Sequence, residues 1–188
     1  ERAELLELLL EQSSICFDTE TTGIDSLRAD LVGFSFSYKA KEAFYVPTPV
    51  NYDEAKAIVA EFKPLFEHTG VEKIGHNVKY DLQVLHRYDI VIQGPLFDTM
   101  IAQYLINPEA KQGMDFMAEV YLGYKPISIE SLIGKKGKGQ GNMGDLSAED
   151  IYQYACEDAD ITFQLKEILA PEVEKPHLKH LFYDMEMP

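Results

Sequence analysis

The sequence predicts an α/β fold in which one sheet carries helices on its faces. After a short amphipathic helix over residues 1–11, three strand-like segments open the chain, the last two separated by a polar turn typical of a hairpin: 14–20, 31–38 and 42–47. Apolar residues at helical spacing then alternate with short strand-like runs. A hairpin followed by alternating helices and strands is typical of this fold class.

Each later element follows from its own local pattern. The predicted order is a helix, a strand, a helix, a brief strand and two more helices, at residues 53–67, 71–74, 78–88, 96–97, from 98 onward and 114–122. A long helix is predicted over 148–169, because Ser147 begins a Ser-Ala-Glu-Asp capping pattern. Pro171 and Pro176 are expected to break the chain after it, because proline lacks the N–H that a helix interior needs.

Composition and charge limit the class of protein. The 188 residues are 46% hydrophobic and 26% charged, which fits a globular domain with a core, and no run approaches the ~20 apolar residues of a membrane helix. The acidic N-terminus is unlike a signal peptide. The net charge of −15 opposes an extended grip on nucleic acid, which needs Lys and Arg to neutralise phosphates. A nucleic-acid substrate would therefore be held over a short stretch, with metal ions or a neighbouring domain adding affinity.

The two cysteines, Cys16 and Cys156, are expected to be reduced thiols. Two thiols are too few for a disulfide framework or for a structural zinc site of their own. On the long helix, Cys156 lies about 200° around the axis from Asp158. We therefore expect Cys156 to face away from Asp158 and to stay apart from Cys16.

Acidic residues occupy positions that a globular protein usually keeps apolar. Asp18 and Glu20 share one face of the first strand, which should be central because it comes early and is flanked by apolar residues. An edge strand or a strand end would explain this pair equally well. Asp81 lies on or beside the buried side of the helix that follows Asn77, where a boundary acid is the ordinary explanation.

The long helix carries a fourth acid of this kind. Asp158 falls on the apolar face, four residues after Tyr154. A buried tyrosine is ordinary, but an unpaired buried charge is expensive. Glu157 and Asp160 point elsewhere and need no explanation beyond solvation.

If these acids converge, their mutual repulsion requires cations. Two unit charges roughly 4 Å apart repel by about 4 kcal/mol at an effective dielectric of about 20. Oxygen-only ligands suit Mg²⁺ or Mn²⁺, and two such ions about 3.5–4 Å apart cleave phosphoesters by activating a water and by stabilising the leaving oxygen. Tyr154, with an ordinary phenol pKa near about 10, would orient that water rather than act as a base.

Three short motifs resemble those of a known nuclease superfamily. They are Phe-Asp-Thr-Glu-Thr-Thr-Gly (17–23), Gly-His-Asn-Val-Lys-Tyr-Asp (75–81) and Tyr-Ala-Cys-Glu-Asp-Ala-Asp (154–160). In this order they resemble the exonuclease motifs of the DEDD superfamily, tyrosine subtype. The resemblance extends over nearly the whole chain to the 3'→5' exonuclease domain of bacterial family-A DNA polymerases (DNA polymerase I), and the tail 182–188 is similar to the junction where the polymerase domain begins.

The resemblance implies a fold and an activity. It implies a ribonuclease-H-like fold with a central mixed sheet of about five strands, formed by residues 1–170, with 171–188 starting the connection to an absent polymerase domain. It also implies proofreading, the hydrolysis of DNA from its 3' end with release of nucleoside 5'-monophosphates.

The resemblance further implies the site residues. Two divalent cations, Mg²⁺ or Mn²⁺ with Zn²⁺ as an alternative at one site, would be bound by Asp18, Glu20, Asp81 and Asp158. Asp18 would bridge them, and Tyr154 would contact the attacking water. The residues that would contact the substrate are Thr21, Ile24, His76, Asn77, Tyr80 and Ile129. Ile129 stands where the family often has a stacking aromatic residue, and His76 is alternatively a simple polar turn residue.

The implied partners follow from the same resemblance. They are a single-stranded DNA 3' end and the polymerase domain of the same parent chain. A monomer without membrane contact is expected, located in the bacterial cytoplasm and associated with the nucleoid.

Residues 134–141 are expected to form a flexible basic loop. Five glycines and three lysines lie between positions 134 and 144, with no acidic residue. The loop fails the Walker pattern, because Gln140 stands where that pattern has lysine. It either touches a DNA backbone or is a solvated linker.

Other functions stay open at this point. An RNA-trimming exonuclease of the ribonuclease D type would share the chemistry, and a catalytically silent domain that spaces its polymerase would share the fold. A stand-alone nucleic-acid-binding module is opposed by the charge of −15.

Overall fold

A computed structural model describes residues 1–187, which form a five-stranded mixed sheet with helices on its faces. The strands are β1 Ser14–Thr21, β2 Leu31–Lys39, β3 Glu42–Pro47, β4 Glu72–Gly75 and β5 Leu96–Asp98. The helices are α1 Arg2–Leu10, α2 Tyr52–Glu61, α3 Lys63–Phe66, α4 Val78–His86, α5 Thr99–Ile106, α6 Met114–Met117, α7 Ile129–Ile133, α8 Ala148–Val173 and α9 Pro176–His180. The predicted α/β class and the five-stranded mixed sheet are confirmed.

The first strand is central, as predicted. The sheet order is β3-β2-β1-β4-β5, and β1 pairs antiparallel with β2 and parallel with β4. β2 and β3 form the predicted antiparallel hairpin. β1 therefore has a strand on each side and helices above and below, and its polar side chains are buried or half-buried.

The two faces of the sheet are packed differently. Phe34 and Phe36 of β2 point to one face, where their rings pack against Phe62 and Phe66. The alternate β2 residues on the other face are small, Gly33, Ser35 and Ser37. These small residues allow α8 to pack closely on that face, which is the face that carries Asp18 and Glu20.

The helix predicted over 53–67 is divided in two. Asn51 caps α2 by accepting a hydrogen bond from the Glu54 N–H at 3.1 Å, and α3 begins after Phe62. Pro64, in the first turn of α3, has no N–H to donate to the carbonyl four residues earlier, which fits the start of a separate helix there. The predicted helix over 114–122 is likewise α6 followed by a π-helical turn at Ala118–Leu122.

The long helix forms as predicted at its start but not at its end. Ser147 and Asp150 make the reciprocal hydrogen bonds of a capping box. The expectation that Pro171 breaks the chain is wrong, because α8 continues through it to Val173. Because Pro171 has no N–H, the Glu167 carbonyl lacks its helical donor. Glu167 is exposed in the last turns of α8, so water can donate to this carbonyl instead. Pro176 does begin a new helix, α9.

The C-terminal segment packs on the rest of the fold. Phe182 is fully buried, and its ring lies 4.9 Å from that of Phe97 between centroids. The boundary placed after residue 170 falls inside α8 and remains a prediction, and Pro188, the end of the tail motif, lies outside the described residues. Among residues 1–187, no helix has both the length and the apolar character required to cross a bilayer.

Candidate active site

Three of the four predicted acids meet between β1 and α8. Asp18, Glu20 and Asp158 each place a carboxylate oxygen within 4.8 Å of the others, and we call these three residues the acidic cluster. Glu20 and Asp158 are each 5% exposed, and Asp18 is half-buried. They come together because alternation puts Asp18 and Glu20 on the face that α8 covers.

Asp81 approaches the same strand from α4 and lies outside the acidic cluster. Its side chain is 3% exposed. Its Oδ1 accepts two hydrogen bonds from Thr19, one from the backbone N–H at 3.1 Å and one from the hydroxyl at 2.5 Å. Thr19 lies between Asp18 and Glu20 in sequence, so these bonds tie Asp81 directly to the strand that carries the cluster.

Burial raises the pKa of every acid in this region. Desolvation raises the pKa of Asp18 to about 7. It also raises the pKa values of Glu20, Asp81 and Asp158, and the negative charge of Asp18 raises them further. The hydrogen bonds from Thr19 to Asp81 act in the opposite direction. At neutral pH the protein alone therefore disfavours full ionisation of this group.

These acids lack basic partners in the described part of the chain. Within residues 1–187, none of the four predicted acids forms an ion pair with lysine, arginine or histidine. Glu20 Oε1 is buried and has no hydrogen-bond partner. A native protein rarely leaves such an oxygen unsatisfied, so the donor set fits a bound hard cation.

Tyr154 lies one turn before Asp158 on α8 and is half-buried. Burial and the charge of Asp158 raise the pKa of its phenol far above the usual range. The phenol therefore stays protonated at neutral pH and can donate a hydrogen bond but cannot accept a proton as a base. The orienting role of Tyr154 remains a prediction.

The predicted substrate contacts fall into separate groups. Thr21 Oγ1 and the Tyr80 hydroxyl lie 2.5 Å apart, and both reach the Gly23 carbonyl, at 2.9 and 2.5 Å. Ile24, one residue further along this loop, is 94% exposed. Thr21 and Tyr80 thus hold the loop that presents Ile24 beside the end of β1. Ile129, at the start of α7, is 40% exposed.

His76 contacts the start of α5 rather than the acidic cluster. His76 Nδ1 lies 2.9 Å from Thr99 Oγ1, whose hydroxyl donates to the Gly75 carbonyl at 3.2 Å. Burial lowers the pKa of the imidazole, so the neutral ring is favoured. Asn77 is exposed, with a left-handed backbone conformation at φ 61°. His76 thus has a structural contact of its own, and the structure does not bring it to the acidic cluster.

One buried acid was missed as a site-forming residue. Asp98 is 1% exposed and accepts backbone hydrogen bonds at the starts of two helices, α4 and α5. The donors are the N–H groups of Asn77, Val78, Met100 and Ile101, at 3.1, 2.8, 2.8 and 3.2 Å. Asp98 thereby orients α4, which carries Tyr80 and Asp81. Its position directly before a predicted helix was the available signal.

Two surface acids do more than meet solvent. Glu157 accepts hydrogen bonds from the Tyr124 hydroxyl and from the Ile127 N–H. Asp160 accepts one from the Lys41 N–H at 2.6 Å. The expectation that Glu157 and Asp160 need only solvation is wrong, because they fasten neighbouring loops to α8. The two cysteines, as predicted, form no disulfide.

The family model and the curated relatives indicate one family. The family model described as 3'-5' exonuclease matches residues 1–174. DNA polymerase I of Borreliella burgdorferi is 38% identical over 188 residues, which cover 98% of this chain and 20% of the relative. DNA polymerase I of Pseudomonas aeruginosa is 37% identical over 193 residues, covering 97% of this chain and 21% of the relative. The chain thus spans about a fifth of the length of these relatives.

The fold is shared with solved nuclease structures. The catalytic core of RRP6 from Trypanosoma brucei superposes with a TM-score of 0.74 at 19% identity, over 97% of this chain and 47% of that one. At this level of identity the likeness shows the fold alone. It confirms the ribonuclease-H-like architecture predicted from the motifs.

Proposed function

The chain belongs to the 3'-5' exonuclease family of the DNA polymerase I type, and from this premise we propose that it removes nucleotides one at a time from DNA 3' ends. The reaction is hydrolysis of the terminal phosphodiester with release of a nucleoside 5'-monophosphate, and its role is proofreading. The observation that carries the proposal is the buried, uncompensated acidic cluster on the motif residues.

The acids hold two divalent cations, Mg²⁺ or Mn²⁺, with Zn²⁺ as an alternative at one site. The ligands are Asp18, Glu20, Asp81 and Asp158. Support comes from the donor set, which is oxygen only, and from the unsatisfied Glu20 Oε1. Bound cations at such a site activate a water for attack on phosphorus and stabilise the leaving oxygen.

The remaining residues position water and substrate. The protonated Tyr154 phenol donates a hydrogen bond that orients the attacking water. Thr21 and Tyr80 hold the loop with exposed Ile24, which contacts the terminal nucleotide. His76, Asn77 and Ile129 are also proposed to contact the substrate, because of their positions relative to the family's motifs.

The substrate is a short single-stranded DNA 3' end. The net charge of −15 favours a short grip, and the chain's share of its DNA polymerase I relatives favours a polymerase domain of the same parent chain as its neighbour. A monomer in the bacterial cytoplasm, associated with the nucleoid, completes the proposal.

A nuclease assay tests the proposal directly. A 5'-labelled single-stranded DNA oligonucleotide is incubated with Mg²⁺ or Mn²⁺ and either the wild type or Asp18→Ala. We expect a ladder that shortens from the 3' end and disappears with the substitution or with EDTA. A preference for the matching RNA oligonucleotide would instead indicate an RNA-trimming enzyme, because the 2'-hydroxyl distinguishes the two substrates.

Mn²⁺ binding distinguishes two reasons for a missing ladder, a catalytically silent domain and an active domain that binds its substrate too weakly. Titration followed by electron paramagnetic resonance should show Mn²⁺ bound to the wild type and lost in Asp18→Ala. If the wild type produces no ladder and binds no Mn²⁺, the domain is a silent structural one and the proposal is wrong.

A further inference from the structure

We infer that residues 134–141, here called the lysine loop, bind the phosphates of the DNA strand behind its 3' end. The inference rests on the proposed function and adds a second subsite to it. The lysine loop contains Lys135, Lys136 and Lys138, all exposed. Among residues 1–187 none of the three side chains forms an ion pair or a hydrogen bond, so their charges are free to meet an anion.

The lysine loop concentrates positive charge in an acidic chain. Acidic residues outnumber basic ones, 32 to 17. Nine of the basic side chains pair with a carboxylate, Arg2, Arg28, Lys39, Lys56, Lys63, Arg87, Lys166, Lys175 and Lys179. Three uncompensated lysines within four residues therefore make a local positive site. The net negative charge of the rest of the chain repels a phosphate backbone.

The lysine loop is closed on itself rather than extended like a linker. The Gly141 N–H donates to the Ile133 carbonyl at 2.6 Å, which joins the two ends of the loop. The Gln140 N–H donates to the Gly137 carbonyl at 3.1 Å. Gly134 and Gly137 have φ values of 84° and 150°, a region that glycine adopts without strain. These turns gather the three lysines at one protrusion.

The lysine loop is also fastened next to the acidic cluster. Asn142, the residue after it, donates through Nδ2 to the Thr22 carbonyl at 2.9 Å. Thr22 follows Glu20 by two residues, at the end of β1. On its other side the loop follows α7, which starts with the exposed Ile129. A strand whose 3' end enters the cluster would therefore leave past the lysines.

Counterion release provides a quantitative test. Each phosphate neutralised on a single strand contributes about −0.7 to the slope of log affinity against log salt. The test variant carries Lys135→Gln, Lys136→Gln and Lys138→Gln. Binding of 5'-labelled dT10 is measured by fluorescence anisotropy in EDTA across a salt series, and kcat and KM are measured with Mg²⁺ on the same oligonucleotide.

A matched variant removes the same charge elsewhere. It carries Lys39→Gln, Lys175→Gln and Lys179→Gln, three exposed lysines paired with carboxylates. Lys39 lies six residues along β2 from Gly33, the partner of Glu20, a distance of about 20 Å. Lys175 and Lys179 follow the end of α8, about 22 Å beyond Asp158 along the helix axis.

The expected result is specific to the lysine loop variant. Its salt slope should fall in magnitude by about 2, and its KM for dT10 at low salt should rise about tenfold or more with kcat unchanged. The matched variant should keep the wild-type slope and KM. Equal slopes for all three proteins, with the wild type still trimming DNA, would overturn the inference alone. A wild type that neither binds nor trims DNA would overturn the proposed function as well.

Discussion

Two buried carboxylate sites on this sheet have opposite environments. Asp98 lies at the end of β5 and accepts four backbone hydrogen bonds from the starts of α4 and α5. The acidic cluster lies at the end of β1, where Glu20 Oε1 has no partner and the neighbours are other acids. Glu20 and Asp158 are nearly as buried as Asp98, so burial alone does not distinguish the two sites.

The difference lies in what satisfies the charge. Backbone N–H groups at a helix start stabilise a carboxylate permanently, so Asp98 is complete within the protein. The acidic cluster needs something from outside, and its oxygens match the ligands of a hard cation. An uncompensated buried acid is therefore the stronger functional signal, whereas a compensated one indicates structure.

Removing one charge from the acidic cluster should give the largest effect on activity. We expect Glu20→Gln to lower kcat/KM by more than about 100-fold, the upper range seen when residues merely supporting metal ligands are changed. In EDTA the same variant should be at least as stable to urea as the wild type, because a repulsive charge is lost. A less stable, fully active variant would contradict the comparison.

Removing the carboxylate of Asp98 should lower stability and leave metal binding intact, the reverse of Glu20→Gln. Asp98→Ala leaves four backbone N–H groups without their acceptor, and the expected loss of unfolding free energy is about 2–4 kcal/mol. Urea denaturation in EDTA measures it. The Mn²⁺ stoichiometry of the protein that remains folded should be unchanged, and loss of Mn²⁺ binding would place Asp98 in the metal site instead.

Thr19 tests how Asp81 is joined to the acidic cluster. Thr19→Val keeps the shape of the side chain but removes the hydroxyl that donates to Asp81 Oδ1. We expect kcat to fall by about tenfold and Mn²⁺ affinity to weaken by a similar factor. Thr19→Ser restores the hydroxyl and should restore both. Equal losses in the two variants would indicate a packing effect rather than positioning.

The pH dependence of stability reports on the raised pKa of Asp18 in the metal-free protein. The pKa of Asp18 is raised to about 7 in the folded state, above its value of about 3.9 when unfolded. Between these values the folded state binds more protons, so in EDTA the unfolding free energy should fall as pH rises from about 4 to about 7. Denaturation at several pH values measures this slope, which should flatten in Asp18→Asn.

Saturating Mg²⁺ should change how the unfolding free energy depends on pH. Cations bind the ionised carboxylates, so the stability that they add should increase with pH over the same range. A metal-induced stabilisation that is equal at pH 5 and pH 8 would show that the ions bind elsewhere. Glu20→Gln is the matched control, because it lacks one ligand of the proposed site.

Local sequence pattern determined the elements and the identity of the acids. Strand alternation placed Asp18 and Glu20 on one face, and the Ser147 pattern located the start of α8 correctly. These features depend on residues only a few positions apart, so a single sequence contains them. The motifs at 17–23, 75–81 and 154–160 identified the family for the same reason.

Only the tertiary structure decided which acids are satisfied. Asp98 finds two of its four donors 20 and 21 residues earlier in the chain, at the start of α4, and Asp160 finds Lys41, 119 residues away. Among residues 1–187, Glu20 Oε1 finds no donor. Hydrogen bonding and desolvation depend on what the fold brings within about 3 Å, and no local pattern encodes that. The sequence determined that the acids exist at the sheet's centre, and the packing of α8 and α4 around β1 decided that they form a site.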